Sequence, residues 1–141
     1  MKPAKKKKIP AEIGKRHFYV LDPIFNQRIH VFLNYSGADF RKWCKSIGAE
    51  YDTESYNEQD DSTFMGFSTF MTLDGKPPQW IIVQKNFNWS IFSQGTLIHE
   101  IVHTVIKLWK SNNIPYNDDT QEFLAHEIAR IYEDIAHKLL K

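Results

Sequence analysis

The chain has a single cysteine in 141 residues, so no internal disulfide can staple the fold and stability has to come from buried apolar surface. Cys44 itself falls among Phe40, Trp43 and Ile47 at helical spacing, which reads as a core position. Long apolar runs are also missing. Nothing approaches the roughly 20 residues needed to cross a bilayer, and the charged N-terminus has no apolar segment behind it. Neither a membrane anchor nor a secretory signal is therefore expected, and the expected compartment is the cytoplasm. A large charge excess is absent too: the formal net charge is +1, too small for a protein that binds polyanions over its whole surface. What is present is a 42% apolar fraction, enough for one real core at this length.

The most informative stretch is Thr96 to Ile106, which contains His99-Glu100-x-x-His103 inside a run without Pro or Gly. A helix turns about 100° per residue, so His99 and His103 lie one turn apart on one face and two imidazole nitrogens can converge on one ion. Glu100 points sideways from the pair. It is too far round to ligate comfortably, yet well placed to take a proton from a water held on the metal. The competing reading is an ordinary amphipathic helix, with Leu97, Ile98, Ile101, Val105, Leu108 and Trp109 on the apolar side. Ile106 on the two-histidine face, and the scarcity of histidine as a residue type, argue for the metal site.

A catalytic zinc needs a third protein ligand. The extended form with Gly and His following is excluded, because Ile106 and Trp109 occupy those positions. A second helix opening near Asp118 offers Glu122, on one face with the small residues Ala125 and Ala129. Asp119-x-x-Glu122 also reads as a capping box, in which Glu122 would only serve the helix N-terminus. His126 is the rival ligand, or a partner that orients Glu122 or polarises a substrate carbonyl. Tyr116 and Tyr132 are both candidate donors to a developing oxyanion, and sequence does not choose between them.

His99-Glu100-x-x-His103, followed after a short turn by Glu122-x-x-Ala125 and Ile128-Ala129, resembles the minimal gluzincins. These are small zinc metallopeptidase-like domains of the phage and prophage kind and, more distantly, of the ImmA/IrrE-like kind. The likeness covers the last third of the chain. It implies Zn2+ held by His99, His103 and Glu122, with Glu100 as general base. The Asn-Glu-x-x-Ser-Asp pattern of thermolysin-like enzymes is not matched by Thr120 to Ala125, so no second carboxylate is assigned from it.

The rest of the chain supplies a scaffold. Residues 1–14 form a basic arm with Lys5 to Lys8, which reads as flexible; nucleic-acid contact through it is the less favoured alternative to a solvated tail. Residues 15–141 read as one domain. Arg16 to Leu21 and Arg28 to Leu33 are rich in β-branched and aromatic residues and predict two strands, whose His17 and His30 read as strand residues rather than ligands. Ser36 to Gly48 predicts a capped packing helix, and residues 50–61 an acidic loop. Thr63 to Leu73 and Gln79 to Gln84 predict a second β pair around Asp74 to Pro78, with a bulge at Gly66. The strand just before the histidine helix is the expected substrate edge, through Trp80, Ile82 or Gln84, and Trp80, Phe87 and Trp89 hint at an aromatic-lined cleft.

The expected fold is α+β: a small, mostly antiparallel sheet, one packing helix and two C-terminal helices carrying the metal site, zincin-like. The expected function is a zinc-dependent metallopeptidase acting on a peptide or protein. The alternative is a non-catalytic zincin-fold binding or assembly module with structural zinc.

Overall fold

The computed structural model describes residues 13–51 and 65–140. The basic arm at Lys5 to Lys8 and all but the first two residues of the acidic stretch lie outside them. In chain order the elements are β1 (Arg16–Leu21), β2 (Arg28–Leu33), α1 (Gly37–Ile47), β3 (Glu50–Tyr51), β4 (Gly66–Thr72), β5 (Gln79–Gln84), α2 (Ile91–Ser111) and α3 (Gln121–Leu139). The α+β architecture is as expected. The five strands form one sheet in the order β1-β2-β5-β4-β3, antiparallel except for the parallel pair β2 and β5.

Alternation along the strands gives the sheet two apolar faces. One carries Phe32, Phe67, Met71, Ile81 and Val83 and is covered by Phe40 and Cys44 of α1. The other carries Val31, Leu33, Trp80 and Ile82 and is covered by Leu97, Ile101, Val105 and Leu108 of α2 and Ile131 and Ile135 of α3. Helix α1 starts with a reciprocal cap, in which Asp39 N donates to Ser36 Oγ at 3.1 Å and Ser36 N to Asp39 Oδ2 at 3.2 Å. It stops at Gly48, whose left-handed φ of 69° lets its N–H and the next turn back onto the last carbonyls.

The expected edge strand needs correction. β5 is internal: Trp80, Ile82 and Gln84 pair with β4 on one side, and their strand pairs with β2 on the other. All three are buried. The physical reason is the near-continuous apolar run Trp80-Ile81-Ile82-Val83, which is what a strand covered on both faces requires. The strand of this hairpin that lies further out is β4, which among the described residues meets β3 at Met71 and Thr72.

A buried polar junction ties three elements together. Trp109 Nε1 of α2 donates to Glu127 Oε2 of α3 at 2.5 Å, and the Asp22 carboxyl at the end of β1 lies beside Glu127, whose Oε1 is buried with no donor among the described residues. Asp22 in turn accepts from the N–H groups of Ile24 and Phe25 at 3.3 and 2.6 Å, which shapes the β1–β2 turn. On the α1 side, His17 Nε2 and His30 Nδ1 lie 3.1 Å apart and His17 stacks on Phe32, so these histidines are packing residues of the sheet. Among the described residues no helix is long and apolar enough to cross a membrane.

Candidate metal centre

Helix α2 opens at Ser90, whose Oγ accepts from Ser93 N at 3.1 Å, and its apolar stripe then fixes its rotation on the sheet. That rotation turns His99 and His103 outward on the flank facing β4. Their Nε2 atoms lie 3.0 Å apart, with the rings edge-on at 78°. Two nitrogens bound about 2.0–2.1 Å from one tetrahedral zinc would sit about 3.3 Å apart, so the pair fits two corners of such a site. His103 is held below the ordinary imidazole range by loss of water around the ring, then by the charges of His99 and Lys107. That favours the neutral ring, which is the form that binds a metal.

Glu100 lies between the pair and the sheet and is only 6% exposed. Its approach to β4 depends on Gly66: a Cβ there would stand 3.3 Å from Glu100 Cγ and 3.1 Å from the Val83 carbonyl. Gly66 therefore opens the strand and is the place of close approach, at the position where the sequence alone suggests a bulge. Burial pushes the Glu100 carboxyl up, while the charges of His99 and Lys107 and a hydrogen bond from Ser68 pull it back down. Glu100 Oε1 stands 3.8 Å from His99 Nε2. Lys107, one turn beyond His103, donates to Ser68 O at 3.0 Å and to Ser68 Oγ at 3.3 Å.

Two hollows flank these groups. One, of about 490 Å³, is bordered by Met65, Gly66, Ile91, Phe92, His99 and Glu100. The other, of about 320 Å³, is bordered by Gly66, Phe67, Ser68, Glu100, His103 and Lys107. Ile91 and Phe92 are exposed hydrophobics at the mouth of the first.

The other sequence candidates do not join this cluster. Helix α3 buries Leu124, Glu127, Ile131, Ile135 and Leu139, and Glu122 sits about 160° round the helix from Leu124. Glu122 and His126 are instead a solvent-exposed pair, 3.3 Å apart. Among the described residues no three His, Cys, Asp or Glu side chains are grouped so as to hold a metal. Glu122 is not a cap either: α3 begins after Thr120 without a side-chain capping bond, and Asn117 Oδ1 takes the N–H groups of Asp119 and Thr120. Tyr116 is 65% exposed in the turn between the helices, and the Tyr132 hydroxyl donates to Gln94 Oε1 at 2.5 Å. Phe87 and Trp89 pack edge to face against each other, 5.6 Å between centroids, as part of the core.

Neither Ser68 nor Lys107 is marked as a site residue by the histidine motif. Lys107 carries a signal in the sequence, since it repeats the four-residue spacing of the histidines on the same face. Ser68 carries none, because only the pairing of the sheet reveals that β4 runs along the histidine side of α2. Comparison of the chain with family models, curated proteins and solved structures finds no match.

Proposed function

We propose that the protein is a zinc-dependent metallopeptidase, with His99 and His103 holding the metal and Glu100 as the general base. The observation that carries this reading is the 3.0 Å convergence of the two Nε2 atoms beside a buried carboxylate on the same helix. When bound, zinc supplies Lewis-acid polarisation of a carbonyl and of water. Glu100 takes the proton of the attacking water and returns it to the leaving amine nitrogen. Its burial strengthens it as a base, and the charges of His99 and Lys107 with the Ser68 bond oppose that rise. The substrate is an extended peptide laid along β4. Lys85 N donates to Met65 O, so by alternation the backbone groups of Gly66 and Ser68 point away from β5.

The third ligand is where this reading can be divided. Glu122 joins the site if the first turn of α3 swings its carboxylate to the pair. The test is zinc content of untagged protein by elemental analysis, for the parent, His103→Ala and Glu122→Ala, with peptide turnover for Glu100→Gln. The expected result is about one zinc per chain in the parent, lost in His103→Ala. Loss in Glu122→Ala as well makes it a ligand, and retention leaves the imidazole pair with solvent or substrate. Parent protein purified without chelator and free of zinc would sink the proposal.

One observation favours the second reading, a non-catalytic binding or assembly module: the described residues bring together two metal-binding side chains and not three. Glu100→Gln separates the two readings, because it removes the base and leaves both imidazoles. Unchanged function in that variant would favour the module.

A further inference from the structure

Among the described residues, Lys107 is a cation built into this cluster, and the peptidase reading uses it only through its charge on Glu100. It lies seven residues past Glu100, so the two side chains leave the helix almost in line, about 10.5 Å apart along its axis, with His103 between them. All three border the same hollow of about 320 Å³. The ammonium group is held by the Ser68 carbonyl at 3.0 Å and the Ser68 hydroxyl at 3.3 Å, and that hydroxyl also bonds Glu100. Lys107 is half-buried, so its charge is less screened than that of a surface lysine.

From this placement we infer that Lys107 is a catalytic residue that pairs with the carbonyl oxygen of the scissile bond as it becomes an oxyanion. The inference rests on the peptidase reading above. In the first step the water oxygen bonds to the carbonyl carbon, the water proton passes to Glu100, and the carbonyl π pair moves onto oxygen. The negative charge on that oxygen is what the Lys107 ammonium meets. In the second step the C=O re-forms, the C–N bond breaks, and the leaving nitrogen takes its proton from Glu100. A peptide along β4 would offer Lys107 an oxygen of the same kind as the Ser68 carbonyl it already holds, so the lysine exchanges like for like. A lysine that only braces α2 against β4 would make the same contacts to Ser68, and the test has to separate the two roles.

Lys107→Gln does so, since it can still donate to Ser68 but carries no charge, and Lys107→Arg restores the charge. The probe is a phosphonamidate peptide, a tetrahedral anion, titrated calorimetrically into the zinc-loaded full chain, with zinc content measured in parallel. Loss of one charge donor to an oxyanion costs ~100-fold or more in enclosed sites, and a half-buried lysine should cost roughly 10–100-fold. The expected result is that Lys107→Gln keeps its zinc and binds the phosphonamidate roughly 10–100-fold more weakly, with Lys107→Arg recovering most of the loss. Turnover should show the same loss in kcat with KM little changed. Undiminished phosphonamidate affinity in zinc-loaded Lys107→Gln overturns the inference and leaves the metal site standing. Equal losses in the Gln and Arg variants also overturn it, in favour of the brace. A parent chain that takes up no zinc overturns the reading on which both rest.

Discussion

Replacing Glu127 with glutamine should make the protein more stable at alkaline pH and remove a steep pH dependence from its unfolding. Glu127 is 2% exposed and Asp22 1% exposed, and the two carboxyls lie beside each other under the β1–β2 turn, close enough to share a proton. Burial, then the hydrogen bond and charge of Asp22, push Glu127 up to about 8 from its ordinary 4.5, against the opposing bond from Trp109. The folded protein therefore binds a proton that the unfolded chain releases between those two values. This contribution is fully present below about pH 4.5 and is lost as pH rises toward 8. The slope is about 1.4 kcal/mol per pH unit, so roughly 3 kcal/mol disappears between about pH 5 and 7.5. That is a large share of the 5–15 kcal/mol typical of a domain. Glutamine keeps the shape, accepts from Trp109 and donates to Asp22 with no proton to lose. Urea unfolding followed by tryptophan fluorescence, at several values from about pH 5 to 8.5, would give both stability curves. The parent curve should fall with pH relative to the variant curve, and the gap should close near pH 5. Parallel curves, or a variant weaker than the parent at alkaline pH, would refute the shared-proton account. The lowered basicity of His17 and His30 acts in the opposite direction, removing stability as pH falls below about 6.5, but it is common to both proteins and cancels in the difference.

Gly66→Ala places a methyl group 3.1 Å from a backbone oxygen and 3.3 Å from Glu100 Cγ, so it should cost about 1–3 kcal/mol and lower turnover more than zinc affinity. Thermal unfolding and zinc titration would check both halves. Asn34 has a left-handed φ of 64°, donates to Gly14 O and accepts from Phe87 N, each at 2.7 Å. Asn34→Ala should therefore destabilise by about 1–3 kcal/mol, and Asn34→Gly by less because it keeps the backbone geometry; the difference in chemical unfolding measures the backbone share. Ser36→Ala removes the reciprocal cap of α1 and should cost about 1 kcal/mol, with Ser36→Asn recovering most of it.

Local chemistry makes much of this fold legible in the sequence. The Ser36 and Asp39 pairing and the left-handed Gly48 set both ends of α1, and the apolar spacing of α2 sets which face carries His99 and His103 outward. The buried Cys44 follows from the same kind of periodicity. What the sequence does not show depends on partners far away along the chain. Glu122 shares a face with Ala125 and Ala129, and small residues suggest a close helix approach there. The approach is made instead through Leu124, Glu127 and Ile131, with the buried Trp109–Glu127 bond fixing the rotation of α3. A buried glutamate bonded to an indole leaves no periodic signal, since by composition it counts as polar and hence as outward-facing. That pairing, with the buried Leu124, Ile131, Ile135 and Leu139, turns the alanine face, and Glu122 with it, toward solvent.

The placing of β4 outside β5, along the histidine side of α2, bears directly on the chemistry. A hairpin can join a sheet by either strand, and the choice falls to the one that loses most by exposure. β5 offers four consecutive large apolar residues, whereas β4 presents Gly66, Ser68 and Phe70 to the helix layer. The apolar strand therefore takes the central position between β2 and β4, and the strand with small and polar residues is left against the flank of α2. Only such a strand leaves room for Glu100 at Gly66 and a hydroxyl for Glu100 and Lys107 at Ser68. A valine at either position would fill that space with methyl groups. The same hydrophobic competition that orders the sheet thus sets the polar lining of the candidate site, which links the stability of the hairpin to the ionisation of the base.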